Sequence, residues 1–138
     1  MIKKLFSLNL DEFVGPDAAI LLLRIGTASL MLTHGIPKLL RVLEGDFSFD
    51  DPIGIGSTTS LILVTFAEAI CAFLVLIGLM TRISLVPLII AMIVAVFIAH
   101  AGDPFGDKEL GLFFLISFIV LFLTGPGKYS VDQMIFRR

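Results

Sequence analysis

Charged residues are scarce in this sequence. Only 16% of its 138 residues are Asp, Glu, Lys or Arg and 57% are hydrophobic, whereas a soluble domain carries about 25% charged residues. Positive charge is not in excess either, since the formal net charge is -2. Nucleic-acid binding requires a basic patch that neutralises phosphates, so the composition excludes a nucleic-acid partner. It predicts a protein embedded in a lipid bilayer.

Cysteine and histidine are scarce too, and this limits the chemistry. Cys71 is the one cysteine, and His34 and His100 are the two histidines. A single cysteine cannot form an intramolecular disulfide or a CxxC redox pair. Helical metal sites often use spacings such as HxxxH or ExxH, and neither is present. The sequence therefore predicts no metal centre, no covalently bound cofactor and no thiol-disulfide exchange within the chain.

What the sequence does contain is four long apolar runs separated by short polar stretches. A membrane-spanning helix needs about 20 residues, and the run from Ile83 to Ala99 has no charge and only Ser84 as a polar side chain. A soluble helix would show a polar face there. We therefore expect an all-α fold with a single domain over residues 1–138. Its four transmembrane helices are predicted to form a bundle, at about residues 16–34, 57–79, 83–99 and 107–124.

Lysine and arginine determine the predicted orientation, because cytoplasmic loops are enriched in them. With the N-terminus inside, six cations fall on the cytoplasmic side and three on the other. The inside set is Lys3, Lys4, Arg82, Lys128, Arg137 and Arg138, and the outside set is Lys38, Arg41 and Lys108. We therefore predict that both termini are cytoplasmic and that residues 40–56 lie outside.

Two ionisable residues, Arg24 and Glu68, lie within predicted spans. Inserting such a residue into the membrane at the centre of a helix costs about 2.5–3.5 kcal/mol, so its side chain usually faces the bundle interior and has a partner there. Arg24 lies 10 residues, or about 15 Å, below His34 at the predicted end of the first span. Glu68 lies 11 residues, or about 16 Å, below Ser57 at the start of the second. The equal depths predict an Arg24–Glu68 pair, which either fixes the helix packing or lines a ligand or proton site.

Further polar side chains are predicted at the outer ends of the spans. His34 shares one helix face with Arg24, and Lys38 either continues that face or sits in a turn, since Pro37 disfavours helix for the residue before it. His100 and Glu109 border the loop between the third and fourth spans. The sequence thus predicts a ligand-binding or proton-relay site, formed by Arg24, His34, Lys38, Glu68, His100 and Glu109.

Six segments together resemble the DoxX family of small four-helix membrane proteins, in matching order over nearly the whole chain. They are RIGTASLMLTHGIPKLL, DDPIGIG, FAEAICAFLVLIGLMTR, VAVFIAHAGDPF, KELGLFFL and GPGKYSVD. The positions that match the family pattern are Arg24, Gly26, His34, Gly35, Lys38, Glu68, Gly78, Thr81, Arg82, His100 and Glu109. The resemblance implies a location in the bacterial cytoplasmic membrane and an association with oxidoreductases. DoxD-like relatives supply a membrane subunit of thiosulfate:quinone oxidoreductase, and mycobacterial relatives are linked to a complex that handles oxidative and thiol stress.

Two functions are compatible with these features. In the first, the protein is a redox subunit: a quinone enters from the lipid, His34, Lys38 or His100 contacts its carbonyls, and Glu68 relays protons. Phenylalanines are expected to shelter the ring, namely Phe97, Phe113 and Phe114. Because the sequence has no flavin, haem or iron-sulfur motif, a soluble or membrane redox partner would supply electrons. In the second, the protein is a non-catalytic membrane scaffold or small-molecule carrier. Homo-oligomers are compatible with both functions.

Overall fold

The computed structural model describes residues 15–137, which form helices and contain no β-strand. The all-α prediction is confirmed for this part of the chain. The helices are α1 (Pro16–Glu44), α2 (Ser57–Ile77), α3 (Thr81–Ala99), α4 (Phe105–Thr124) and α5 (Val131–Phe136). Within residues 15–137, three helices, α1 to α3, are long and apolar enough to cross a membrane. Helix α4 has 20 residues but carries three charges near its start, Asp107, Lys108 and Glu109.

Helix α1 is longer than the sequence predicted. It begins with Pro16, whose missing N–H is not needed in the first helical turn, and ends at Gly45 in the left-handed conformation, with φ 79°. Between them the helix continues through Pro37 for 29 residues. Proline is tolerated inside membrane helices because the surroundings can satisfy the backbone group that it leaves free. Lys38 therefore lies on the helix and not in a turn, which confirms the first of its two predicted placements.

The helices α1 to α4 pack as a closed ring, in which α1 and α3 each contact both α2 and α4. The core is built from small and branched apolar side chains with a few larger ones, namely Ala28, Met31, Ala67, Cys71, Ala72, Val75, Leu85, Leu88, Met92, Phe114, Leu115, Phe118 and Leu121. The outer surface is apolar as well: Leu22 is 75% exposed and Leu123 is 71% exposed. Large apolar side chains on all outer faces fit a bundle whose solvent is lipid.

The backbones of α1 and α2 come close together at Gly35. A Cβ atom at this position would lie 2.6 Å from the backbone nitrogen of Ala69 and closer still to the carbonyl of Glu68. Membrane helices use small residues at such points because a missing side chain lets the two backbones meet. Gly35 therefore fixes the position of α2 against α1, and it places Glu68 beside the second half of α1.

At one end of the bundle the chain folds back after α4. We call residues 125–132 the strap, and this end of the bundle the strap end. The Lys128 amide donates to Asp17 Oδ1 over 2.9 Å. The carboxylate of Asp132 accepts from the backbone amides of Met80, at 2.7 Å, and Thr81, at 2.9 Å. These amides lie at the start of α3, where helical N–H groups lack partners within the helix. The strap thus joins the first turns of α1 and α3.

The opposite end carries the loop of residues 45–56. Asp46 Oδ1 accepts from the Ser48 hydroxyl at 2.5 Å and from the Ser48 amide at 3.0 Å, and Asp46 Oδ2 accepts from Arg41 at 3.1 Å. These hydrogen bonds favour the ionised carboxylate, the Ser48 hydroxyl most of all, and they lower the pKa of Asp46 to about 2. The orientation of both ends relative to the cytoplasm stays a prediction, since Lys3, Lys4 and Arg138 lie outside the described residues.

Candidate functional site

Arg24 does not pair with Glu68, so that prediction is wrong. Its guanidinium donates to two backbone carbonyls of the strap, Tyr129 at 2.6 Å and Pro126. The side chain is 2% exposed. The depth argument failed because α1 extends ten residues past His34, about 15 Å further than assumed. Measured from the true helix end, Arg24 belongs to the strap end and lies outside the site.

The partner of Glu68 is Lys38. Lys38 Nζ lies 2.5 Å from Glu68 Oε2, and the two side chains are 23% and 7% exposed. The ammonium also donates to the His34 carbonyl, at 3.3 Å. Lys38 lies on helix α1, three residues after Gly35. At this position its side chain contacts Glu68 on α2, beside the point where the two helices come close together. The result is a partly buried ion pair near the end of the bundle that carries the 45–56 loop.

This ion pair lines a cavity of about 160 Å³ between α1, α2, α3 and α4. We call this end of the bundle the cavity end. The polar side chains that line the cavity are His34, Lys38, Glu68, His100, Asp107 and Lys108. Its buried apolar wall includes Met31, Met92 and Phe114. An apolar cavity of about 150 Å³ holds one benzene molecule, so the space corresponds to a single ring. Four of the six predicted site residues line it, while Arg24 and Glu109 do not.

The two histidines occupy different environments. The His34 ring stands edge-on to Phe114, with ring centroids 6.0 Å apart. His100 Nδ1 lies 2.6 Å from Asp103 Oδ2, and both side chains are about half exposed. A carboxylate only accepts hydrogen bonds, so Nδ1 carries a proton in this contact and Nε2 of a neutral imidazole is left as an acceptor. His100 therefore connects the cavity with the exposed Asp103.

Two cavity walls are formed by irregular helix. Glu68 lies in a π-helical turn of α2, Phe66–Cys71, and Ala95 and Val96 lie in a second one at the end of α3, Ala95–Ala99. Such turns are frequent at functional sites because the altered hydrogen bonding re-aims side chains. On the third wall, Lys38 directly follows Pro37 inside α1. The backbone thus departs from the regular α-helical pattern on two sides of the cavity, and a proline lies within the helix on a third.

Helix α4 lines the cavity with Asp107 and not with the predicted Glu109, while the predicted Phe114 is present. Asp107, Gly111 and Phe114 follow one another at spacings of four and three, so they share a face of α4, and this face lines the cavity. Glu109 is about 200° around the helix from Asp107, and it is exposed. The spacing from Phe114 was the sequence signal that could have identified this face. Of the phenylalanines expected around the ring, Phe114 is 3% exposed, while Phe97 and Phe113 are 60% and 59% exposed and point away.

Within residues 15–137, no three His, Cys, Asp or Glu side chains come together in a way that could hold a metal ion. The arrangement instead provides hydrogen-bond donors and acceptors beside an apolar wall. Lys38 is a donor, Glu68 is an acceptor, and His100 Nε2 is an acceptor when the ring is neutral. A ligand with a polar oxygen and an apolar ring matches these properties.

Comparisons with known proteins give the family. The DoxX family model matches residues 19–101. A protein of Bacillus subtilis (strain 168) named "Putative oxidoreductase CatD" is 32% identical over 118 residues, which cover 85% of this chain and 87% of that protein. "Uncharacterized membrane protein Rv3486" of Mycobacterium tuberculosis is 30% identical over 142 residues, covering 90% of this chain and 85% of that protein. No solved structure matches. The chain therefore belongs to the DoxX family of membrane proteins.

Proposed function

We propose that the protein is a membrane subunit of an oxidoreductase system and that its cavity binds the headgroup of a quinone. One observation carries the proposal: the Lys38–Glu68 pair and two histidines line a ring-sized cavity whose inner wall is apolar. The name of the Bacillus subtilis relative, an oxidoreductase, agrees with a redox role. The quinone would be a reversibly bound cofactor.

The chemistry follows from the groups that line the cavity. A quinone carbonyl only accepts hydrogen bonds, and the Lys38 ammonium donates them. Reduction of a quinone to a quinol takes up two electrons and two protons. Glu68 and Lys38 can exchange a proton with the ring oxygen. His100, which contacts Asp103 at the exposed rim, can then replace the proton that was transferred. The electrons are assigned to a soluble or membrane partner protein, since the sequence carries no flavin, haem or iron-sulfur motif.

The proposal includes an arrangement in the bacterial cytoplasmic membrane. Helix α4 packs against α1 and α3 as part of the ring, so we assign it as a fourth span. Apart from the buried Arg24, three described cations lie at each end of the bundle: Arg82, Lys128 and Arg137 at the strap end, and Lys38, Arg41 and Lys108 at the cavity end. Lys3, Lys4 and Arg138 then favour a cytoplasmic strap end and cytoplasmic termini.

Labelling of single cysteines tests this orientation. In a Cys71→Ser background, Asp50→Cys and Met134→Cys place a thiol at an exposed position on each side. We expect an impermeant reagent added outside intact cells to label position 50 and not position 134. The reverse pattern would invert the orientation, and labelling of both positions would contradict an even number of spans.

Binding of a short-tailed, single-ring quinone to the protein in nanodiscs tests the site. We expect Lys38→Met to weaken quinone binding at least tenfold, because it removes the cavity-lining ammonium that donates to a quinone carbonyl. Glu109→Gln is the matched control, since Glu109 is exposed and does not line the cavity. Equal affinity in all folded variants would remove this site. No binding to the wild type would favour a non-catalytic scaffold or a carrier of another small molecule.

A further inference from the structure

We infer that the cavity binds the reduced, hydroxyl-bearing form of the quinone more tightly than the oxidised form, and that Glu68 sets this preference. The inference rests on the proposed function, to which it adds the redox state of the bound ring. It follows from a difference between the two forms in hydrogen bonding. A quinone carbonyl can only accept a hydrogen bond, whereas a quinol hydroxyl both donates and accepts.

Glu68 presents a carboxylate oxygen that has no donor. Lys38 Nζ binds Oε2, and no residue in the described range donates to Oε1. The Glu68 side chain is only 7% exposed, yet it lines the cavity. Oε1 is also not among the fully buried polar atoms that lack a partner, so it is accessible from the cavity. A ligand hydroxyl that reaches Oε1 can donate a charge-assisted hydrogen bond to it, and such bonds are roughly twice as strong as neutral ones.

His100 lines the same space, and when its ring is neutral the contact of Nδ1 with Asp103 leaves Nε2 as a second acceptor. One hydroxyl of a quinol can donate a hydrogen bond to Glu68 Oε1, while the oxygen of the same hydroxyl accepts a hydrogen bond from Lys38. Its second hydroxyl has His100 on the cavity rim as an acceptor. A quinone would instead bring carbonyl lone pairs towards both acceptors and leave them unpaired.

The size of the preference can be bounded from below. A fully closed site built to bind a hydroxyl rejects analogues that lack it by 10⁴–10⁵. This cavity reaches exposed residues, so water can replace part of what the quinone cannot supply. We therefore expect the quinol to bind at least tenfold more tightly. For a two-electron couple, a tenfold preference raises the reduction potential of the bound pair by about 30 mV.

The experiment measures the affinity of one short-tailed benzoquinone, its quinol and the quinol dimethyl ether, by anaerobic calorimetry on the protein in nanodiscs. In the wild type we expect the quinol to bind at least tenfold more tightly than the quinone, and the ether, which has no donor, to bind no better than the quinone. Glu68→Gln supplies an amide N–H that suits a carbonyl, so the ratio should fall towards one. Glu109→Gln should keep the wild-type ratio.

The outcomes separate the two proposals. Equal affinity of quinone and quinol for the wild type would overturn the redox preference and leave the quinone site intact. Absence of binding by both forms would remove the proposed function itself. A Glu68→Gln protein that keeps the wild-type ratio would show that another acceptor sets the preference. The ether comparison needs no variant, so the inference stays testable even if Glu68→Gln does not fold.

Discussion

The buried charges at the two ends of the bundle have different partners and surroundings. At the strap end, Arg24 is 2% exposed, and its guanidinium donates to the backbone carbonyls of Pro126 and Tyr129, while its buried Nε has no partner among the described residues. At the cavity end, Lys38 and Glu68 pair with each other beside open space, and no described residue donates to Glu68 Oε1. The comparison teaches that a charge within a membrane bundle can serve structure or ligand binding. The distinction lies in whether the charged group is enclosed by the fold or borders open space.

Arg24→Met should break the strap end, with the largest effect that we expect. It leaves the carbonyls of Pro126 and Tyr129 without donors, and hydrogen bonds to charged groups contribute about 1.5–3 kcal/mol each, so we expect a loss of about 3 kcal/mol or more. Cys71 is the single cysteine and is 2% exposed, so its reaction with a thiol-reactive dye on heating reports unfolding. Arg41→Met, in the same helix but with surface partners, should change the midpoint little. Equal shifts for both would contradict the structural role of Arg24.

Gly35→Ala should disturb the cavity end by moving α1 away from α2. The added methyl group would overlap the backbone of Glu68 and Ala69, and overpacking costs about 1–3 kcal/mol. The matched control is Gly26→Ala in the same helix, where a Cβ atom meets nothing within 4 Å and alanine favours helix. The same dye assay should show a lower midpoint for Gly35→Ala and no loss for Gly26→Ala. A tolerated Gly35→Ala would show that the helices can separate freely.

Variants of Lys38 and Glu68 test how much the ion pair at the cavity end contributes to the free energy of unfolding. Removing one partner of a fully buried pair costs about 3–5 kcal/mol, but Lys38 is 23% exposed, so we expect about 1–3 kcal/mol for Lys38→Met or Glu68→Gln. The double variant should lose less than the sum of the two, since no charge is left alone. Its unfolding midpoint tests this directly. Strictly additive losses would mean that the two side chains do not interact.

The smallest effect is expected in the 45–56 loop. The pKa of Asp46 is lowered to about 2, mainly by the Ser48 hydroxyl, whereas the pKa of an aspartate in an unfolded chain is about 3.9. A lowered folded-state pKa means that the contribution of this carboxylate is complete above about pH 4 and is lost as the pH falls through about 2. The amide signal of Ser48, which donates to Asp46, should therefore titrate with a midpoint near 2. A midpoint near 4 would contradict these hydrogen bonds.

The sequence predicted the helical class well because lipid imposes long apolar runs, and a run such as Ile83–Ala99 has few alternatives. It also predicted that His34, Lys38, Glu68 and His100 lie close together, and all four line one cavity. The partner of Glu68 could not be predicted from the sequence. Estimating the depth of a residue in the membrane requires the position of the end of α1, and a proline in the sequence does not show whether the helix continues past it. For α4 the sequence predicted Glu109, whereas Asp107 lines the cavity; the spacing of Asp107 and Gly111 from Phe114 was the signal that indicated the correct face.

The contact between Arg24 and the strap has a consequence for biosynthesis. Arg24 and Pro126 are separated by 102 positions in the chain, and ribosomes add about 5–20 residues per second. For roughly 5–20 s after Arg24 is made, the acceptors that it uses in the finished protein do not yet exist. During membrane insertion the arginine must therefore rely on water, headgroups or the insertion machinery. The strap end is completed last, so a chain that stops before residue 126 would leave this charge for cellular quality control to detect.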